Sequence, residues 1–264
     1  MNRKSLTTLE YNKIIDKLQS FAVSRDAKNK AAKLVPMTDI DKINVCLTET
    51  GDAVSRLYAK GCASFSGVSD VMGSVKRLEV GSCLNAHELL QISGVLSAAK
   101  AHKTHYEETQ DSLTPLYDSL DPVPSLYAQI KKCIISEDEI SDDASANLKD
   151  IRRNIRLAND RIHTELNKIL NNQALRNCLQ DYVITSRQGR YCLPVKAEYK
   201  SQVPGMVHDQ SATGSTIFIE PAAVVKLNND IRELELKEEA EIQVILADLS
   251  AQAAEYTEQI ATDY

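Results

Sequence analysis

The 264-residue sequence has no tryptophan, three phenylalanines, nine glycines and seven prolines. So few turn-formers leave little room for many tight connections, which argues against a compact α/β enzyme and for long helices. No stretch approaches 18 apolar residues, and the opening MNRKSLTTLEYNK lacks the apolar run of a secretory signal. The expectation is a soluble, cytoplasmic protein with no membrane partner. The six cysteines (46, 62, 83, 133, 178 and 192) form no Cys-x-x-Cys unit and read as reduced, scattered thiols. A formal net charge of −6 excludes a polycation that coats nucleic acid with its whole surface. Phosphate-cradling glycine loops, Gly-x-Ser-x-Gly elbows and His-Glu-x-x-His pairs are missing from the sequence. No catalytic and no metal-binding residue is therefore assigned.

What is present is helical periodicity. Thr7-Thr8-Leu9-Glu10 has capping-box form, and Leu9, Ile14, Ile15, Leu18 and Phe21 supply a stripe expected to be buried. Ser24 is placed to cap a second helix, and Thr38 or Asp39 a third carrying Ile40, Ile43, Leu47, Val54 and Leu57. Further helical patterns continue to Pro122 and Pro124. Residues 1–135 thus read as a helical core domain.

Residues 136–180 read as one long helix, capped by Ser141 or Asp142 behind an acidic approach and lasting until about Leu179. Ala144, Leu148, Ile151, Ile155, Ala158, Ile162, Leu166 and Ile169 form a near-heptad seam that asks for a partner helix. The partner is sought in residues 222–264, where Val224, Leu227, Ile231, Leu234, Ile242, Ile245, Leu249, Tyr256 and Ile260 carry a second seam. Glu238 interrupts it, which suggests a stutter or a wet contact. Seven basic against three acidic residues between Lys149 and Arg176 face two against ten between Asn228 and Tyr264. Opposite charge favours antiparallel pairing, although each exposed pair contributes only about 0–1 kcal/mol. The second seam reaches Tyr264 with no glycine or proline to close it, so a longer protein is expected.

Between the seams, residues 181–221 read as four short antiparallel strands. Val183-Ile184-Thr185 runs into a turn at Arg187-Gln188-Gly189, and Arg190–Ala197 alternates. Met206–Gln210 and Ser215–Ile219 flank Ser211-Ala212-Thr213-Gly214, where Gly214 suits the left-handed residue of a bulged hairpin. Pro194 argues for an edge strand, because proline lacks a ladder donor. The fold class is mainly α with a small β module: a core, an antiparallel pair of long helices, and the module at their tip.

Candidate sites are few. His102 and His105 have metal-type spacing without cysteine or acid partners, and read as two solvated histidines. His208-Asp209-Gln210-Ser211 holds nucleophile-type residues, but strand neighbours point to opposite faces, so a structural role is expected. Arg187, Arg190, Lys196 and Lys200, interleaved with Tyr191 and Tyr199, are the candidate contacts to nucleic acid. The block holds four basic and four acidic residues, so its charge alone does not decide. The alternative is a structural module whose β tip self-associates through Tyr191, Leu193, Ile217 and Phe218.

The block and its flanks resemble the MutS-two family, bacterial MutS paralogues linked to a small MutS-related nuclease domain. The resemblance is carried by Thr185-Ser-Arg-Gln-Gly-Arg-Tyr191, Leu193-Pro-Val-Lys-Ala-Glu-Tyr199 and the run from Gly205 to Pro221. Asn228-Asn229, the run from Ile140 to Arg152 and the opening Thr8-Leu-Glu-Tyr-Asn-Lys-Ile fit as well, so it spans the chain. It implies a core, two lever helices (136–180 and 222–264) and a clamp (181–221). It also implies a homodimer acting on branched or recombining DNA or on collided ribosomes and their rRNA. An ABC-type ATPase using ATP and Mg, and an endonuclease domain, are implied for the full-length protein, with no cofactor in this chain.

Overall fold

A computed structural model describes residues 3–61, 64–65 and 67–264. Cys62, one of the expected thiols, lies outside the described residues. In chain order the elements are α1 (Arg3–Thr8), α2 (Tyr11–Phe21), α3 (Arg25–Ala32), α4 (Ile40–Lys60), α5 (Met72–Glu79) and α6 (Ala86–Tyr106). They continue with α7 (Thr114–Asp118), α8 (Pro124–Cys133), β1 (Ile134–Ser136), β2 (Glu139–Ile140), α9 (Ala146–Leu170) and α10 (Gln173–Arg176). Last come β3 (Thr185–Arg187), β4 (Arg190–Lys196), β5 (Gly205–Gln210), β6 (Thr216–Pro221), α11 (Ala222–Ala254) and α12 (Thr257–Asp263). The fold is mainly α with a small antiparallel β module, as the periodicities require. Two compact units are present: Met1–Ser141 with Ile245–Tyr264, and Asp142–Val244.

In the first unit, Leu78, Leu89, Ile92, Leu96, Leu126 and Ile130 are buried together with Leu249, Ala253 and Ile260. An Asn85–Glu88 capping box starts α6, satisfying two backbone donors that the helix itself cannot. The expected buried stripe on α2 is corrected: only Ile15 is buried, while Leu9, Ile14, Leu18 and Phe21 are exposed. The stripe of α4 is likewise open at Ile40, Leu47, Val54 and Leu57. Helical spacing sets which residues share a face; burial needs a second element laid on that face. Residue Arg56 anchors α4 instead, donating to both Asp111 carboxylate oxygens at 2.7 and 2.6 Å with its guanidinium 4.3 Å from the Tyr117 ring centroid. The Thr7–Glu10 capping box does not form, because Glu10 takes a left-handed φ of 54° and makes no side-chain cap bond. Ser24 and Asp39 do cap α3 and α4.

In the second unit, α9 and the first part of α11 run antiparallel. Asn147 donates to Glu241, and Arg152 meets Glu238 at 2.7 Å, so rising numbers on one helix face falling numbers on the other. Glu238, where the seam skipped, is thus a polar contact. Ala158, Ile162 and Leu166 are buried in one cluster with Val224, Ile231 and the module residues Leu193, Val195, Ile217 and Ile219. Two expectations for α9 are corrected. Its cap is Ser145, whose Oγ accepts from Leu148 N at 2.9 Å, because a 3-10 turn at Asp142–Ala144 precedes it. It ends at Leu170, giving a helix of about 37 Å at about 1.5 Å per residue. Asn172 then caps the short α10 and turns the chain toward the sheet.

The four-stranded sheet has the order β3-β4-β6-β5. Residue Pro194 therefore sits in an interior strand, not at an edge. The ladder of β3 stops at Cys192, and beyond it Pro194 uses only its carbonyl, which accepts from Gln180 N at 2.9 Å. The missing N–H is not needed there. Gln188 and Gly189 join β3 to β4 with φ of 52° and 74°, the left-handed pair that a two-residue hairpin turn demands. Gly214 takes φ 73°, as its position in the second hairpin predicts.

Candidate nucleic-acid interface

Strand β4 begins at Arg190 and ends at Lys196, and its two cationic ends meet different surroundings. At the first end, Glu220 is fully buried. Its carboxylate accepts from Arg190 at 2.8 Å, from His208 Nε2 at 2.5 Å and from Asn228 Nδ2 at 2.8 Å. The second Arg190 terminal nitrogen donates to Asn229 Oδ1 at 2.6 Å, and Asn228 Oδ1 accepts from Tyr191 N. A buried carboxylate without such partners would be strongly disfavoured. The sheet itself sets up the arrangement. A register shift between Val207 and Asp209 places His208 at an irregularity of β5. Gly205 lets β5 come close: a Cβ there would lie 2.1 Å from the Glu220 carbonyl oxygen. His208 thus holds structure rather than acting as a nucleophile's base. Arg187, across the tight turn, spans Phe218 at 3.9 Å from the ring centroid and pairs with Asp209 at 3.3 Å.

At the other end no carboxylate closes in. Lys196 Nζ donates to the Asn177 carbonyl at 3.1 Å and lies 6.0 Å from the Tyr199 ring centroid. The backbone bonds Gln180 N to Pro194 O and Lys196 N to Cys178 O lace residues 178–180 along β4. This brings Arg176, 5.3 Å over the Tyr182 ring, to the same edge. Lys200 stands exposed on the 3-10 turn Ala197–Gln202 that follows β4. Among the described residues, Arg176, Lys196 and Lys200 make no ion pair, while Asp181 and Glu198 are exposed in the same segments. Cations beside open aromatic faces can hold phosphates and stack bases.

The four sequence candidates are therefore divided. Arg187 and Arg190 are engaged with Asp209 and Glu220; Lys196 and Lys200 have no carboxylate partner among the described residues. Sequence reading missed Arg176, which lies before the strand block, and Glu220, whose only signal was a charge at the end of an apolar strand. Leu193 and Ile217, expected to form a dimer surface, are buried in the module's own core, and Tyr191 packs against His163. The His102–His105 pair is also corrected: His102 is buried, not solvated. The described cysteines are free, and burial pushes the Cys192 thiol up to about 11, away from reactivity at neutral pH.

No group of three His, Cys, Asp or Glu side chains among the described residues could hold a metal ion. The positive-φ glycines belong to turns, not to a phosphate-cradling loop. No helix among the described residues is long and apolar enough to cross a membrane.

The second unit is an antiparallel helix pair bearing a small antiparallel sheet, and the first is a helical core. No family model matches the chain. Among curated proteins, Endonuclease MutS2 of Lachnospira eligens is 64% identical over 264 residues, covering 100% of this chain and 34% of its own length. Endonuclease MutS2 of Agathobacter rectalis is 50% identical over 100% of this chain and 34% of its own length. That of Lachnoclostridium phytofermentans is 50% identical over 95% and 33%. The chain belongs to this family of bacterial MutS paralogues. It spans about a third of the length of the relatives it matches.

Proposed function

We propose that the β module is a clamp whose basic edge grips the phosphodiester backbone of nucleic acid in the cytoplasm, as branched DNA or as the rRNA of a ribosome. The observation that carries it is the asymmetry of β4. One end is neutralised from within by a buried carboxylate; the other presents Arg176, Lys196 and Lys200 without ion pairs, beside Tyr182 and Tyr199. Arg190 sets the shape of the clamp, and the three open cations supply its attraction. The antiparallel helices α9 and α11 carry the module as levers, and two copies acting together would enclose a duplex or an RNA helix. The names of the relatives add an endonuclease, and the family reading adds an ATPase, suppression of recombination and ribosome rescue. In that scheme this chain contributes grip, and none of its described residues carries out the cleavage.

The test is charge reversal of Arg176, Lys196 and Lys200 together, with binding to a four-way DNA junction and to ribosomes measured against salt. Each lost phosphate contact lowers the slope of log K against log salt by about 0.9 on duplex DNA. Affinity and slope that stay unchanged on both substrates would overturn the proposal.

A second reading has one observation in its favour. Strand β5 is an edge strand, and it exposes Met206 and Val207. Such an edge can pair with a second copy. Sedimentation of the chain with Met206→Lys and Val207→Lys would then show loss of a concentration-dependent dimer.

A further inference from the structure

The first unit holds a cavity of about 400 Å³, remote in sequence from the clamp and lined by α6, α7 and the end of α12. Its size falls within the range of small-molecule sites, about 300–1,000 Å³. Most of its wall is apolar: Val68, Ala98, Ala99, Leu113, Leu116 and Leu120. Three polar atoms of its lining residues are buried and lack any hydrogen-bond partner: His102 Nε2, Asp263 Oδ2 and the Tyr264 hydroxyl. The first two belong to groups that the fold otherwise holds firmly. His102 is 6% exposed, its ring lies 4.2 Å from that of Phe65, and it bonds to the Ser64 backbone. Asp263 accepts from Asp121 N at 2.8 Å through its other oxygen.

Buried polar atoms are nearly always satisfied, so three orphans on one cavity call for an occupant. The imidazole is held by Ser64 through one nitrogen, which leaves Nε2 as an acceptor in the neutral ring. Burial lowers the His102 pKa and so favours the neutral ring, while burial raises that of Asp263, whose charged form lacks a compensating donor at Oδ2. Water bonded to these polar atoms would still leave most of the apolar wall without a partner. An aromatic body would fill the apolar wall and stack near Phe65 and Tyr117.

We propose that this cavity is a binding site for a small planar aromatic molecule bearing amidine-type N–H donors, received by His102 Nε2 and Asp263 Oδ2. The ring occupies the space between α6 and α7, and the donor group reaches the end of α12. The site belongs to the first unit and does not depend on the nucleic-acid reading.

Benzamidine is the probe, titrated into the chain by calorimetry and by amide chemical-shift mapping, with benzyl alcohol as the ring without the amidine. The expected result is saturable 1:1 binding with shifts centred on Ala98, Ala99 and Leu116, and benzyl alcohol at least tenfold weaker. Asp263→Asn and His102→Phe are each expected to weaken benzamidine at least tenfold. The comparison of the two probes needs no variant, so a poorly folded variant does not obscure it. Equal binding of both probes would show an apolar cavity only and overturn the assignment. So would shifts mapping elsewhere, affinity unmoved by Asp263→Asn in a folded chain, or no benzamidine binding.

Discussion

Arg190 and Lys196 stand at the two ends of one seven-residue strand, and both carry a positive charge. Arg190 meets a fully buried Glu220 together with Asn229; Lys196 meets a backbone carbonyl and a tyrosine. The first charge is consumed in holding β4, β6 and α11 to one another, and the second remains available to an anion from outside. Charge of the same sign is closed off within the fold at one end and left without a carboxylate partner among the described residues at the other, and what separates them is the position of one carboxylate.

Removing that carboxylate should have the largest effect. Glu220→Ala leaves Arg190, His208 and Asn228 around an empty centre, and about 3 kcal/mol of stability should be lost in urea unfolding, as for other broken buried pairs. Arg190→Ala, which strands Glu220, should cost about 2 kcal/mol while the salt slope of nucleic-acid binding stays as it was. A changed slope with unchanged stability would erase the distinction between the two ends.

The Arg56–Asp111 pair extends the same contrast into the first unit. The hydrogen bonds from Arg56 hold the Asp111 carboxyl below its usual value of 3.8. A depressed folded pKa gives stability that is present above the unfolded value and lost as pH falls through the folded one. Acid unfolding below about pH 4 should therefore be less steep in Asp111→Asn than in the native chain, as followed by circular dichroism. At the open end of β4, Lys196→Glu and Lys200→Glu should change stability by no more than about 0.5 kcal/mol, since neither group is part of a buried contact.

Much of this arrangement was legible in the residues. The two seams predicted the helix pair, Arg187-Gln188-Gly189 predicted a turn, and the gap at Glu238, which suggested a stutter or a wet contact, is a polar contact to Arg152. What was not legible depended on contacts distant in sequence. Nothing local to Arg190 points to Glu220, 30 residues on. The stripes of α2 and α4 have good helical spacing, yet spacing carries no information about whether another element covers them. Pro194 pointed to an edge because the rule counts donors, and it could not show that β3 would end two residues earlier. His102 looked like a surface histidine because the segment that covers it precedes it by almost 40 residues.

The most direct measurement is the salt dependence of junction and ribosome binding by the Arg176→Glu, Lys196→Glu, Lys200→Glu triple variant beside Arg190→Ala. The triple variant should lose at least tenfold in affinity and about two to three in slope on duplex DNA, with the slope of Arg190→Ala unchanged. If the triple variant binds as the native chain does, or if Arg190→Ala alone flattens the slope, the basic edge is not what grips.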